Sequence, residues 1–339
     1  MKTKLANGPS LDGVPQGSKS TADGPNRRSE SASRPSAFPP PQITVVIPTH
    51  NRYRRLRNLL SSIRDNWIDK VSSVIVVDDS TVKEDLNGFE EIVLKHVRIP
   101  ERIFISRAKN IGWKLSSTEL VFFIDDDNVV GDETLGPVLD AVQSSGDIGA
   151  AMPAVLYKSQ PDLVWVYAEP FLNRRLKLNL LGRNKPRNPV LEKRFLSTDD
   201  LPNASLVRRR AIEEVGGFDE RLVANCGLDF TQRLKSRGWR TVSCTGAMIL
   251  HDVEAPGRIG WWAIHGAVDP DIVKYQISDW FIIMQRLHGQ TRLLFLRSSV
   301  GSLRFVLPNI VAYLARGESR LLLMKNVLLG YISGYQVTR

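Results

Sequence analysis

The chain has 339 residues, 42% of them hydrophobic, enough for one large domain or two small ones around a sizeable core. A net charge of +10 points to polyanionic partners: nucleic acid, an anionic membrane face or phosphorylated substrates. The two cysteines, Cys226 and Cys244, lack metal-type spacing, which argues against a disulfide framework and a cysteine zinc site.

Residues 1–42 are rich in Ser, Pro, Gly, Lys and Arg and poor in large apolar residues. Such a segment buries too little surface to offset its ordering entropy, so a disordered basic tail is expected. It shows no apolar signal segment, and no uninterrupted apolar run in the chain reaches the length of a membrane span. A reducing cytoplasm is the expected setting.

Ile43 to Ile47 reads as a first strand, with Pro48 expected to end its pairing. Leu56, Leu59, Leu60 and Ile63 recur at helical spacing and predict a helix over 53–66. Ser73 to Val77 is a second apolar strand, and it ends in Asp78-Asp79-Ser80. Ile103-Phe104-Ile105 reads as a third strand, followed by a helix from Arg107 to Ser116. Val121 to Ile124 is apolar on both faces, as in a buried parallel strand, and runs straight into Asp125-Asp126-Asp127-Asn128. A buried strand cannot hold three charges, so the sheet must end there. Ligands of open α/β sheets sit at such carboxyl ends. Adjacent carboxylates repel one another unless a cation neutralises them, and carboxylate oxygens suit Mg2+ or Mn2+. The alternative is a solvated acidic turn. A second strand ending in paired aspartates counts against it.

Further strands are expected at 152–157, 164–167 and 205–207. The basic stretch 173–194 is either a long loop over the site or a solvated basic surface. Arg208 opens a short helix ending at Gly216-Gly217. A helix over 229–237 and a strand over 241–250 follow, the latter running into His251-Asp252. Strands alternating with helices make an α/β domain with a largely parallel sheet. Beyond Pro270 come apolar helical stretches flanked by Arg286, Arg292, Arg297, Arg304, Arg316, Arg320 and Lys325. Apolar faces with basic rims fit helices lying on a membrane surface. An ordinary helical appendage is the alternative. The expected organisation is a tail over 1–42, an α/β domain over 43–255 and an amphipathic helical region over 256–339. No internal repeat, Gly-rich phosphate loop or Walker-type lysine motif is present.

Residues 43–251 resemble the family 2 glycosyltransferases. The segments that carry the likeness are Val45-Val46-Ile47-Pro48-Thr49-His50-Asn51-Arg52, Val76-Val77-Asp78-Asp79-Ser80, Arg107-Ala108-Lys109-Asn110-Ile111-Gly112, Asp125-Asp126-Asp127, Gly216-Gly217-Phe218-Asp219-Glu220 and His251. Each is weak alone; together they stand in the family's order. The resemblance implies a Rossmann-like GT-A fold with a mostly parallel central sheet, here with a C-terminal helical, membrane-associating extension. It implies inverting transfer from a UDP-, GDP- or dTDP-linked sugar to a glycan or lipid-linked acceptor, with Mg2+ or Mn2+ as cofactor. The basic-rimmed C-terminal helices and the cysteine usage add the expectation of a place on the cytoplasmic face of a membrane.

The resemblance also implies roles for single residues. Asp127 and His251 would hold the metal, and Asp126 the ribose hydroxyls. Asp125 would orient its neighbours or cap the turn. Asp79, with Asp78 beside it, would read the base. Pro48 and His50 belong to the opening loop, where His50 would stack on the base or close the turn. Arg107 would contact the base, brace the aspartates or only organise the sheet edge. The family usually supplies its general base from a Glu-Asp pair, but here those positions hold Cys226 and Gly227. Asp229 is the nearest carboxylate and the leading candidate base, with Asp219 and Glu220 behind it. The departure leaves room for a non-catalytic nucleotide-sugar-binding or accessory protein. A nucleotidyltransferase would need a triphosphate loop that Pro48 to Arg52 does not form. Nucleic acid is not an expected partner, since the basic residues are spread over tails and loop without a groove-reading motif.

Overall fold

The computed structural model describes residues 43–92, 94–170, 179–192, 195–253, 255, 270–289, 293–316 and 320–338. The expected tail over 1–42 and the basic residues 173–178 and 193–194 lie outside them.

The first half alternates as its apolar pattern requires: β1 (Ile43–Thr49), α1 (Tyr53–Trp67), β2 (Ser73–Asp78), β3 (Leu94–Arg98), α2 (Phe104–Leu115) and β4 (Leu120–Ile124). The second half comprises β5 (Asn128–Val130), α3 (Asp132–Gln143), β6 (Ile148–Tyr157), β7 (Gln160–Val166), β8 (Phe195–Ser197), β9 (Ala204–Arg208), α4 (Arg209–Val215), α5 (Cys226–Ser236) and β10 (Arg240–His251). One sheet takes the order β3-β2-β1-β4-β9-β6-β10-β5, with β7 on β6 and β8 on β10. Strands β3, β2, β1 and β4 run parallel, as do β6 and β10; β9 enters antiparallel to β4. The acidic ends of β2 and β4 therefore flank the carboxyl end of β1. The core beneath them is continuous, from Leu56, Leu60 and Trp67 through Phe122 to Val142 and Leu206.

Two local expectations fail, and one helix lies where none was expected. Pro48 does not end β1; it stays in register opposite Val77. Ile103-Phe104-Ile105 is not a strand. The Asp79 carboxylate accepts the N–H groups of Ile103 and Phe104 at 2.8 and 3.0 Å, which starts α2 there. The third parallel strand is β3 instead, a polar edge strand with little apolar signature. Helix α3 went unrecognised because Gly136 and Pro137 interrupt its periodicity.

Three helices close the chain: α6 (Pro270–His288), α7 (Leu294–Arg316) and α8 (Arg320–Thr338). The first packs on the α/β domain. Asp279 Oδ2 accepts the N–H groups of Val223, Ala224 and Asn225 at 3.0, 2.6 and 3.0 Å. Leu228 packs with Trp280, Ile283 and Met284, and Ile282 joins the main core. Among the described residues no helix is long and apolar enough to cross a membrane. Yet α7 and α8 expose Leu296, Val300, Leu307, Leu321, Met324 and Leu328.

Candidate active site

The carboxyl ends of β1, β2 and β4 open into a cleft lined by Pro48, Thr49, His50, Arg52, Asp79, Arg102, Phe104, Ile105, Ala108 and Asp125. Pro48 and His50 come from the end of β1, as the motif order suggested. Asp79 is heavily engaged. Its Oδ2 takes the two α2 amides, and its Oδ1 meets His50 Nδ1 at 2.9 Å and Arg102 Nη1 at 2.8 Å. A nucleobase N–H would have to displace one of the latter. Asp78 turns away from the cleft. It is fully buried, between the Tyr53 hydroxyl at 2.7 Å, His96 Nε2 at 2.8 Å and Arg98 Nη1 at 2.6 Å. Asp78, expected beside Asp79 at the base, does not line the cleft.

Arg107 pairs with Glu101 at 3.1 Å on the surface. Among the arginines that brace the aspartates, Arg52 and Arg102 line the cleft. Arg52 reaches Asp126 Oδ1 at 2.7 Å and Asp127 Oδ2 at 2.9 Å. Asp126 is enclosed behind it and also accepts the Thr49 hydroxyl at 2.6 Å. Burial pushes the Asp126 carboxyl up to about 7, past the opposing pull of Arg52 and Thr49. The member of the segment that lines the cleft is Asp125, held by Lys109 at 3.3 Å. Asp126, expected at the ribose, is buried away from the cleft, and Asp125 is the carboxylate that faces it.

Asp127 and His251 come together. Residues 128 and 251 are paired across β5 and β10, and Asp127 Oδ1 lies 3.5 Å from His251 Nε2. Burial raises the Asp127 pKa, but His251, Arg52 and Arg55 outweigh it and hold the carboxyl below its ordinary value. His251 Nδ1 is buried without a hydrogen-bond partner among the described residues. Its ring packs edge-on against Trp165, over which the Arg183 guanidinium stacks at 3.9 Å. So the described part of the basic stretch 173–194 braces the histidine from behind. No group of three or more His, Cys, Asp or Glu side chains suited to a metal occurs among the described residues. The Asp127 carboxylate and the His251 Nε2 that faces it at 3.5 Å still form a fitting donor pair, with the unpartnered Nδ1 on the other side of the ring. Mg2+ and similar ions commonly bind through one or two carboxylates, waters and substrate phosphates.

The candidate bases are occupied. Asp229 is buried, with Oδ2 on Arg233 Nε at 2.8 Å and Oδ1 on Arg286 of α6. Asp219 pairs with Arg221 and Arg286 at 2.6 and 2.8 Å, and these contacts hold its pKa low against burial. Glu220 accepts from Asn110 Nδ2 at 2.9 Å. Asn110 also clamps the Gly-Gly-Phe turn, bonding both the N–H and the carbonyl of Phe218. Gly217, at φ 79°, leaves no room for a Cβ beside it.

Residues 44–216, just over half of the chain, match the family model described as glycosyl transferase family 2. The chain belongs to this family. Among curated relatives, the pre-mycofactocin glycosyltransferase of Mycobacterium tuberculosis is 28% identical over 221 residues, 62% of this chain and 42% of that protein. A putative polypeptide N-acetylgalactosaminyltransferase 10 of Drosophila melanogaster is 24% identical over 54% of this chain and 31% of its own length. The chain spans less than half the length of these relatives. Two solved structures share the fold. GalNAc-T7 with UDP, GalNAc and Mn2+ has a TM-score of 0.52 at 14% identity, over 75% of this chain and 52% of that one. The mannosyltransferase PcManGT from Pyrobaculum calidifontis, in complex with GDP-Man and Mn2+, has a TM-score of 0.51 at 15% identity, over 88% and 87%. The family 2 chain is thus an α/β protein of GT-A architecture with a helical C-terminal region.

Proposed function

We propose that this family 2 chain transfers a sugar from a nucleotide-diphosphate sugar to a membrane-proximal glycan or lipid-linked acceptor, with inversion and with a divalent cation. The observation that carries the reading is the meeting of Asp127 and His251 two residues beyond Asp125, which with Asp79 lines the cleft at the strand ends. In this reading the base lies between His50 and Phe104, above Asp79. Asp125 accepts from the ribose. Asp127 and His251 hold Mn2+ or Mg2+ with the diphosphate, and the ion, when bound, supplies Lewis-acid stabilisation of the leaving charge. Arg52, now paired with Asp126 and Asp127, is placed to follow the diphosphate as the cation replaces it at the carboxylates. That two fold relatives carry Mn2+ with UDP or GDP-Man supports the cation and the donor class. The apolar faces of α7 and α8, with exposed Arg297 and Lys325 beside them, support a peripheral place on the cytoplasmic face of a membrane.

A screen of UDP-, GDP- and dTDP-sugars for thermal stabilisation, with and without Mn2+, tests the reading. A bound donor raises the melting temperature by mass action. One donor class should do so only with the cation; no stabilisation by any donor would contradict it. A second reading, a nucleotide-sugar-binding protein without turnover, draws on the arginine pairs that occupy Asp229 and Asp219. Release of nucleoside diphosphate by the purified chain separates the two.

A further inference from the structure

The first turn of α5 packs against the segment that leads into β9. A Cβ built on Gly227 would lie 2.5 Å from Asp200 Oδ1 and 3.1 Å from the Leu201 carbonyl oxygen. Carbon and oxygen cannot approach to 2.5 Å, so the Asp200 carboxylate fills the space that a side chain at 227 would enter, while the Leu201 contact is tight and relieved by a shift of a few tenths of an ångström. Gly227 is not among the residues of positive φ. Close approach, and not backbone conformation, requires glycine there.

Topology sets Asp200 beside the donor site. Ala204 pairs with Ile124 across β9 and β4, and the Asp125 N–H donates to the Asn203 carbonyl at 2.8 Å. Asn203 and Ala204 therefore adjoin the aspartate segment, three and four residues on from Asp200. Lys109, bonded to Asp125, also exerts its charge on Asp200. Unlike Asp229, Asp200 is only half-buried. Its Oδ1 accepts the Leu201 N–H at 2.7 Å, and among the described residues no hydrogen bond reaches Oδ2. Burial and the charge of Asp199 push its carboxyl up, past the pull of the Leu201 N–H and of Lys109, and the buried Glu169 is raised by it in turn. A general base works best with a pKa near the operating pH.

We propose that Asp200 is the general base of the transfer, its carboxylate standing in from the β8–β9 connection for one missing on the first turn of α5. The proposal rests on the glycosyl-transfer reading above. The acceptor oxygen forms its bond to the anomeric carbon as its O–H bond breaks, and the proton passes to Asp200. The bond from anomeric carbon to phosphate oxygen breaks, and its electron pair leaves with the nucleoside diphosphate.

The test compares the full chain with Asp200→Asn, Gly227→Asp and the double variant Asp200→Ala/Gly227→Asp. Nucleoside diphosphate release from the stabilising nucleotide sugar, with Mn2+, is followed against pH. Binding of the nucleoside diphosphate is measured by calorimetry. Asp200→Asn should lose about a hundredfold or more in turnover, the scale of general-base loss, with unchanged nucleotide affinity. The wild-type rate should fall on the acid side at a pH above the ordinary carboxylate range, since the carboxyl is raised, and the variant should lack that acid limb. Gly227→Asp alone should be impaired, since its Cβ meets Asp200. The double variant, with the carboxylate moved across the contact, should recover turnover over Asp200→Asn, which also answers a folding defect in the single variant. Wild-type turnover or an unchanged acid limb in Asp200→Asn would overturn the assignment. A parent protein that binds nucleotide but releases none would overturn it too, in favour of the binding-protein reading. A parent that binds no nucleotide would instead sink the transferase reading itself.

Discussion

Asp78 and Asp79 stand side by side at the end of β2, yet they do different work. Asp79 faces the cleft and starts α2; Asp78 is buried between Tyr53, His96 and Arg98. Burial raises the Asp78 pKa, but the His96, Ser80 and Tyr53 hydrogen bonds outweigh it and hold the carboxyl below the usual range. A pKa depressed by folding contributes stability above the unfolded value, about 4, and loses it as pH falls through the folded one. Urea unfolding against pH should show this loss setting in below pH of about 4. Asp78→Ala should cost roughly 3 kcal/mol at neutral pH, because it strips the partner from a buried ion pair. A change of only a few tenths would remove Asp78 from the framework. At this scale the carboxylates were legible, since charge cannot continue a buried strand. Their cationic partners were not. Arg52, Arg102 and Arg107 look alike in sequence, and only the packed loop decides that the first two face the aspartates while the third meets Glu101. Asp200 was equally hidden. Nothing local joins it to Gly227, and a close approach leaves no mark in the sequence beyond the glycine itself.

The elements with strong apolar period, β1, α1, β2 and β4, lie close to where their patterns place them. Those set by tertiary contact do not. Helix α2 starts early because a distant carboxylate caps it, and β3 is a strand because β2 offers it an edge. Helix α5 begins at Cys226, ahead of the expected Asp229, and the reason lies in α6. Asp279 holds the three amides that lead into that first turn. Asp279→Ala should therefore destabilise the protein by roughly 2–3 kcal/mol, the cost of leaving such donors unpaired. Amide exchange at residues 223–230 should rise with it. Unchanged protection there would show that α5 does not depend on α6.

At the scale of the whole molecule, α6 belongs to the core while α7 and α8 turn apolar side chains outward. Removing the helical region would open that core, so its role is better tested by exposed substitutions. Each basic residue near an anionic surface contributes about 1 kcal/mol, screened by salt. Phosphatidylserine vesicles should therefore sediment the protein less as salt rises. Leu296→Asp/Leu328→Asp, at exposed positions, should abolish the binding without lowering the melting temperature. Equal sedimentation of the variant would refute the membrane face. The central claim is that the cleft binds a nucleotide diphosphate through a cation held by Asp127 and His251. Calorimetry of UDP and GDP with and without Mn2+, on the wild type and on Asp127→Asn, tests it most directly. Asp127 lies beyond β4, so the substitution should remove a ligand while keeping the fold. Mn2+-dependent binding is expected in the wild type and its loss in the variant, which stays folded with a melting temperature lowered by the weakened Arg52 and Arg55 pairs. Equal affinity in the two proteins would contradict it.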